Sequence, residues 1–233
     1  MRKIWFLLAV LFLVFSSSVF SQSFSRILEV KTPRMNGEDV RGLQKKLLSL
    51  KFNQVGEADG YYGPLTESAI KDIQSFSGFV TNGKVNIDIW NYIFDKNKET
   101  FLINISTILT YNPKKLKKSI DFLYSETMEI ASRGGDAGGE AFIYSSSDGK
   151  PKIMEYYTAN PHTSSFITCF FLNDTNYFAK YKFSSPNPDN TIDKIYLING
   201  RNIFEIKNGN QNRTNDDYSI TETVTGILRK FYN

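Results

Sequence analysis

Histidine and cysteine are almost absent from this 233-residue sequence, which contains one of each. Cys169 alone cannot form an intrachain disulfide, and His162 alone excludes a zinc site built from several histidines. Cys169 lies in the apolar run 166–172, where it is predicted to be a small buried hydrophobe. A catalytic Cys169–His162 pair is disfavoured because the surrounding residues supply no third group to orient the histidine. The sequence therefore suggests no catalytic residue, no metal ligand and no cofactor.

Long apolar runs are also scarce, and the one near the N-terminus has the order of a secretion signal. Arg2 and Lys3 precede the apolar stretch Ile4–Val14, and residues 15–23 become small and polar. The stretch is well short of the roughly 20 residues that span a bilayer, so an uncleaved anchor is the weaker alternative. We expect residues 1–21 to be a cleaved signal peptide, and we expect no membrane span after cleavage.

The sequence also lacks a large excess of positive or negative charge. The formal net charge of +4 falls to about +2 once Arg2 and Lys3 are removed. This balance gives no reason to expect a nucleic-acid partner.

The rest of the chain divides into a helical domain at residues 24–95, a segment at 96–112 and a larger domain at 113–233. In the first, an apolar stripe at helical spacing follows Gly37, and a dense turn signal spans residues 58–64. Pro64 suits the first position of a second helix, and Asn86 can cap a third. The segment 96–112 includes FLINISTILTY, whose β-rich composition predicts a docking strand or an extended linker.

An ordered set of residues in the helical domain resembles the peptidoglycan-binding-domain-1 family of small three-helix modules. The matching positions are Pro33, Met35, Gly37, Asp39, Val40, Leu43, Gln44, Leu47, Asp59, Gly60, Tyr62, Gly63, Thr66, Ala69, Gln74, Gly78, Phe79, Asn82, Gly83, Val85 and Trp90. Two positions depart from the family pattern: Ile73 replaces the usual Phe, and Ile89 replaces the usual Thr. The resemblance implies affinity for peptidoglycan and a location in the periplasm or outside the cell.

The resemblance does not say which residues touch the wall. Arg41 and Gln44 offer hydrogen-bond donors from the first helix. Of Tyr61 and Tyr62, one is expected in the core and the other can present its ring and hydroxyl to a sugar or peptide. An ordinary solvated side chain is the alternative for each of these candidates. The three residues expected to shape the turn, with left-handed backbone at the glycines, are Asp59, Gly60 and Gly63.

The larger domain is predicted to be an antiparallel β-meander flanked by helices, so that the whole chain is of the α+β class. Apolar residues at helical spacing predict a helix over 114–132, and a glycine-rich connection follows at 134–139. Six strand signals then alternate with turns such as Asp148-Gly149 and Asn199-Gly200. Ser219-x-x-Glu222 predicts the cap of a final helix that lies on the sheet. With one face covered, the other face of the sheet would be open to a partner.

Three functions fit these observations. The first is a non-enzymatic peptidoglycan-binding protein whose sheet presents a second interaction surface, for example to another envelope protein. The second is a wall hydrolase that uses two carboxylates, with Glu140, Glu155 and Asp193 as candidates and no spacing that singles out a pair. The third is a helical module that now binds protein and no longer binds glycan.

Overall fold

A computed structural model of the chain describes residues 23–115, 117–123, 138–159, 162–214 and 218–232. The expected signal peptide, the glycines at 134–137 and the second half of the helix expected at 114–132 lie outside these residues. The described residues contain five α-helices: α1 Glu38–Ser49, α2 Pro64–Phe76, α3 Ile87–Phe94, α4 Glu99–Leu109 and α5 Tyr218–Tyr232. Single 3₁₀ turns occur at Asn53–Val55, Lys96–Lys98, Pro113–Lys115 and Pro188–Asn190.

The three helices predicted for the first part of the chain are confirmed, and their ends follow the expected chemistry. Glu38 and Asp39 lie in the first turn of α1, where acidic side chains suit the positive end of the helix dipole. Pro64 begins α2. Asn86 caps α3, because its side-chain oxygen accepts a hydrogen bond from the Ile89 N–H at 3.0 Å.

Within the described ranges, eight strands form a single antiparallel meander in which every strand pairs with its neighbours in sequence. They are β1 Lys117–Leu123, β2 Gly138–Ser145, β3 Pro151–Ala159, β4 Ser164–Phe171, β5 Asn176–Ser184, β6 Ile192–Asn199, β7 Asn202–Lys207 and β8 Asn210–Thr214. The six predicted strands are present as β2 to β7. The polar edge strand β8, with the sequence NQNRT, has no alternation of apolar residues that could have predicted it.

Two predicted segments have a different structure. The segment 96–112 holds helix α4 and not a strand, because Phe101, Leu102, Ile105 and Ile108 fall on one side of a helix and are all buried. Residues 117–123 form strand β1 and not a helix, and they pair with β2 from Lys117–Ser145 to Leu123–Gly139. In α4 the packing partners override the β preference of its residues, because β propensity depends strongly on context.

The sheet is covered on both faces over its second half. Helices α1 to α4 share one hydrophobic core with Phe178, Ile195 and Ile206 of β5, β6 and β7. On the opposite face, α5 packs through Ile220, Val224 and Ile227. The final helix therefore lies on the sheet as predicted. The expectation of an open second face is wrong for this half of the sheet, because the first four helices cover it.

The contact between α2 and the sheet, which we call the helix–sheet interface, is close-packed and hydrogen-bonded. The ring of Phe76 meets those of Phe170 and Phe178 edge-on, with centroids 5.4 and 5.7 Å apart. Lys180 Nζ lies 3.8 Å from the centroid of Phe76 and donates a hydrogen bond to Ser75 Oγ at 2.8 Å. Helices and sheet are therefore held by contacts in addition to the connecting chain.

Backbone hydrogen bonds fasten the β7–β8 turn to the end of α2. The N–H of Gly209 donates to Ser77 O at 2.7 Å, and the N–H of Asn208 donates to Gly78 O at 3.0 Å. These bonds bring a turn of the sheet directly beside the helical part of the chain.

Candidate functional site

The turn at residues 56–63 is organised around the amide of Gln44, which is 2 % exposed. Its Nε2 donates to Asp59 Oδ1 at 2.8 Å and to Tyr61 O at 3.1 Å. Its Oε1 accepts from the Gly60 N–H at 2.8 Å. A buried amide whose N–H groups and oxygen bond to the turn fixes the shape of the turn and is out of reach of a ligand.

The two neighbouring tyrosines have opposite environments. Tyr62 is fully buried, and its hydroxyl donates to Gly83 O at 2.6 Å. Tyr61 is 47 % exposed. Of the pair, only Tyr61 has a ring that a ligand can reach.

Arg41 lies partly on the surface and also supports the turn. Its guanidinium donates to the carbonyl oxygens of Ala58 at 3.2 Å and Asp59 at 3.4 Å, and it forms an ion pair with Glu38 at 3.1 Å. Of the four candidate contact residues, Gln44 and Tyr62 are therefore interior, whereas Arg41 and Tyr61 remain accessible. We call the surface of Arg41 and Tyr61 the turn surface.

The two glycines of the turn differ. Gly60 has a φ of +79°, in the region that favours glycine. Gly63 has a φ of −112°, which any residue can adopt, so the left-handed conformation that glycine permits is not used at Gly63. Gly63 instead occupies the capping position before Pro64.

Asp59 makes the stability of this turn dependent on pH. Hydrogen bonds from the Tyr61 backbone N–H and from the Gln44 amide lower the pKa of Asp59 below its usual range. A carboxyl group with a lowered pKa in the folded state stabilises the fold above its unfolded pKa of about 3.9, and this contribution is lost as the pH falls through the folded pKa. We expect a carboxyl NMR titration to place the midpoint of Asp59 below 3.9, and Gln44→Leu to move it upward. A midpoint at or above 3.9 in the unmodified protein would contradict the role of these hydrogen bonds.

A second concave surface lies on the other side of the helical part, and the sequence did not predict it. This cavity, about 770 Å³ in volume, lies between α3, the 79–86 segment and the β7–β8 turn. We call it the amide groove. Its lining residues are Ile27, Gln74, Phe79, Val80, Asn82, Lys84, Asn86, Asp88, Ile89, Asn91, Tyr92, Asp95 and Asn208.

The groove combines side-chain amides with an aromatic floor and an apolar rim. In the part of the chain that the structure describes, the side chains of Asn91 and Asn208 have no hydrogen-bond partner. The ring of Tyr92 packs edge-on against Phe79, with centroids 5.2 Å apart, and burial raises the pKa of Tyr92 to about 12, so its hydroxyl remains protonated. Val80, at the rim, is 77 % exposed. A concave site with an apolar surface and a few unengaged polar groups is typical of ligand pockets.

The candidate catalytic residues do not form one constellation. Asp193 on β6 lies three strands from Glu155 on β3, roughly 14 Å away at ordinary strand spacing, which exceeds the about 9.5 Å upper limit for paired glycosidase carboxylates. Glu140 faces Tyr157 in register, so it shares one face of neighbouring strands with Glu155. Glu155 accepts a hydrogen bond from the Tyr144 hydroxyl at 3.0 Å. Only the Glu140–Glu155 pair keeps a spacing compatible with glycan hydrolysis.

Cys169 is fully buried in the core between the sheet and α5. Burial raises the pKa of its thiol well above the ordinary value, so the reactive thiolate is suppressed. His162 is exposed, on the segment before β4. Among the described residues, no cluster of three or more His, Cys, Asp or Glu side chains could hold a metal ion.

Comparison with known proteins identifies the helical part of the chain. Residues 36–93 match the family model described as "Putative peptidoglycan binding domain". Those residues are therefore similar to the peptidoglycan-binding domains that this model describes. The domain comprises α1, α2, α3 and the turns between them, and therefore both the turn surface and most of the amide groove.

A curated relative carries a similar segment. N-acetylmuramoyl-L-alanine amidase CwlL of Bacillus licheniformis is 41 % identical over 64 residues, which make up 25 % of this chain and 18 % of the amidase. The chain therefore spans less than a fifth of the length of that relative. No solved structure gives a significant match.

The domain supports cell-wall binding with peptidoglycan as the partner, and with the amidase relative it indicates an extracytoplasmic location at the wall. None of the helices in the described ranges is both long enough and apolar enough to cross a membrane.

Proposed function

We propose that this protein is exported by its N-terminal signal and binds peptidoglycan without cleaving it, through the amide groove. The observation that carries the proposal is the cavity of about 770 Å³ within the peptidoglycan-binding domain, lined by asparagine side chains with unused hydrogen-bonding capacity. Peptidoglycan offers N-acetyl groups and peptide amides, which pair with such side chains. Val80 and Ile27, exposed at the rim, provide apolar contact for the ligand.

Co-sedimentation with purified sacculi tests this proposal on the protein without residues 1–21. We expect the protein to sediment with the sacculi, and we expect Asn91→Ala to weaken binding roughly 2- to 10-fold, the loss of about one hydrogen bond. Alanine favours helix at this exposed position of α3, so the fold is expected to survive.

Asn104→Ala is the matched control, because it makes the same change on α4 outside the groove. Tyr61→Ala tests the turn surface separately from the amide groove. Weaker sacculus binding by Tyr61→Ala, with unchanged binding by Asn91→Ala, would show that peptidoglycan binds at the turn surface. Absence of the unmodified protein from the pellet would contradict wall binding and favour a domain that now binds protein.

The absence of hydrolysis is the second half of the proposal. It is supported by the burial of Cys169 and by the distance between Glu155 and Asp193. The turbidity of a wall suspension is expected to stay constant on addition of the protein. A fall in turbidity that Glu155→Gln abolishes would establish the hydrolase alternative on the Glu140–Glu155 pair.

The sheet is proposed to present a second interaction surface, to which another envelope protein is the candidate partner. Tyr157 and Phe166 support this assignment, because they are opposite each other on β3 and β4 and are 44 % and 38 % exposed. Large exposed aromatic side chains that adjoin one another are typical of interaction sites. We expect replacement of both residues with serine to abolish the complex with the partner protein. An unchanged complex would contradict this assignment.

A further inference from the structure

A separate cavity lies at the end of the sheet, beside α5 and away from the peptidoglycan-binding domain. The meander places the β2–β3, β4–β5 and β6–β7 turns at the same end of the sheet, and α5 passes next to them. The open cavity between these turns and the helix has a volume of about 760 Å³. This volume lies within the range of small-molecule sites.

The floor of this cavity is apolar. Val224 and Leu228 of α5 and Pro151 at the start of β3 line it. Tyr177 of β5 lines it as well and is 5 % exposed. The hydroxyl of Tyr177 has no hydrogen-bond partner among the described residues, and burial raises its pKa, so it remains a neutral donor. A neutral hydroxyl without a protein partner, on a residue that lines a cavity, can donate a hydrogen bond to a ligand.

The rim of the cavity is predominantly basic. Lys150, Arg201 and Arg229 come from the β2–β3 turn, the β6–β7 turn and α5, and all three are exposed. None of the three forms an ion pair within the part of the chain that the structure describes. Two acidic residues also line the cavity: Asp148, which accepts a hydrogen bond from Ser146 Oγ at 2.5 Å, and the exposed Asp174, so basic residues exceed acidic ones by one. Cations without ion pairs at the mouth of an apolar cavity complement a ligand with an apolar body and an anionic end.

We propose that this cavity binds a small amphiphilic carboxylate of about the size of a medium-chain fatty acid. The apolar body lies on Val224, Leu228 and the Tyr177 ring. The carboxylate faces Arg201 and Arg229 and accepts a hydrogen bond from the Tyr177 hydroxyl. Arginine suits this role because its planar guanidinium presents two parallel donors to a carboxylate.

Calorimetric titration of the protein without residues 1–21 with sodium decanoate, decanol and decyltrimethylammonium chloride tests the proposal. All three probes are used below their micelle concentrations. We expect decanoate to bind more tightly than decanol, and the cationic probe to bind most weakly. Arg201→Gln combined with Arg229→Gln is expected to weaken decanoate binding at least about 10-fold while leaving decanol unchanged, because only the carboxylate uses these donors.

A second variant tests whether the ligand occupies the cavity, without changing the charge of its rim. Thr225 is exposed on α5 and lines the cavity, so Thr225→Trp is expected to fill the space and weaken decanoate and decanol alike. Sacculus binding should be unaffected by either variant, since the amide groove includes none of these residues. Absence of decanoate binding, equal binding of decanoate and decanol, or equal decanoate binding by the arginine variant would each overturn the proposal.

Discussion

Replacing Gly78 with alanine is expected to lower the free energy of unfolding by about 2–4 kcal/mol, the combined cost of a left-handed backbone at a non-glycine residue and of overpacking. Gly78 has a φ of +66°. A Cβ atom there would overlap the carbonyl oxygen of Ile206 and lie 2.9 Å from the Cα of Lys207. Both obstacles are backbone atoms of β7 and its turn, so side-chain movement cannot relieve the clash. Chemical denaturation followed by circular dichroism measures the effect.

Gly200→Ala provides the matched control for this experiment. Gly200 also has a positive φ, of +58°, but nothing lies within 4 Å of an added Cβ. Its replacement should cost only the backbone contribution of about 1–2 kcal/mol. Equal losses for the two variants would show that the helix–sheet interface is not as tightly packed at Gly78 as the structure indicates.

Replacing Gln44 with leucine is expected to destabilise the protein by about 2–4 kcal/mol, because several buried polar groups lose their partner at once. The Gly60 N–H would be left without an acceptor, and Asp59 and Thr66 would each lose a donor. Leucine is one heavy atom smaller than glutamine, so a small cavity adds to a cost that is mainly polar. Thermal and chemical denaturation measure the loss.

Gln54→Leu is the control for Gln44→Leu. Gln54 is exposed and forms one long hydrogen bond, to Asp72 Oδ2 at 3.3 Å, so its replacement should change stability by no more than about 0.5 kcal/mol. A comparable loss at both positions would contradict the view that Gln44 organises the turn.

The parts of the fold that the sequence predicted are those whose signals are local. The apolar stripe of α1, Pro64 at the start of α2 and Asn86 as the cap of α3 are all visible in short stretches of sequence. The hairpin turns at Asp148-Gly149 and Asn199-Gly200 similarly predicted where neighbouring strands pair.

The parts that the sequence did not predict depend on distant residues. Helix α4 contains several β-branched residues, and its buried face is defined only by the helices and strands around it. The covering of β5 to β7 by the helices results from contacts such as Lys180 with Ser75, which no local pattern encodes. Strand β8 is polar throughout and is specified by its pairing with β7.

The candidate site also has residues that the sequence pointed to and residues that it did not. The sequence suggested Gln44 as a hydrogen-bond donor and Tyr62 as a possible ring contact for the ligand. Both are buried in the folded protein, and burial cannot be read from the sequence alone. The sequence did not single out the amide groove, because Asn91 and Asn208 meet only once the β7–β8 turn is fastened to α2. The cluster Asn82, Asn86 and Asn91 was the one local signal that could have drawn attention to this surface.

The hairpins of the meander and the helix–sheet interface differ in how much conformational entropy the chain loses when they form. Each hairpin of the meander joins strands that are adjacent in sequence, so closing it restricts only a short loop. The hydrogen bond between Lys180 and Ser75 spans 105 positions of the chain. Loop-closure entropy grows with the logarithm of loop length, so this contact costs more entropy to form than any two-residue hairpin in the sheet. The aromatic packing around Phe76 offsets that cost, and it joins the helical half of the molecule, which contains the residues matched by the family model, to the half that holds the second cavity.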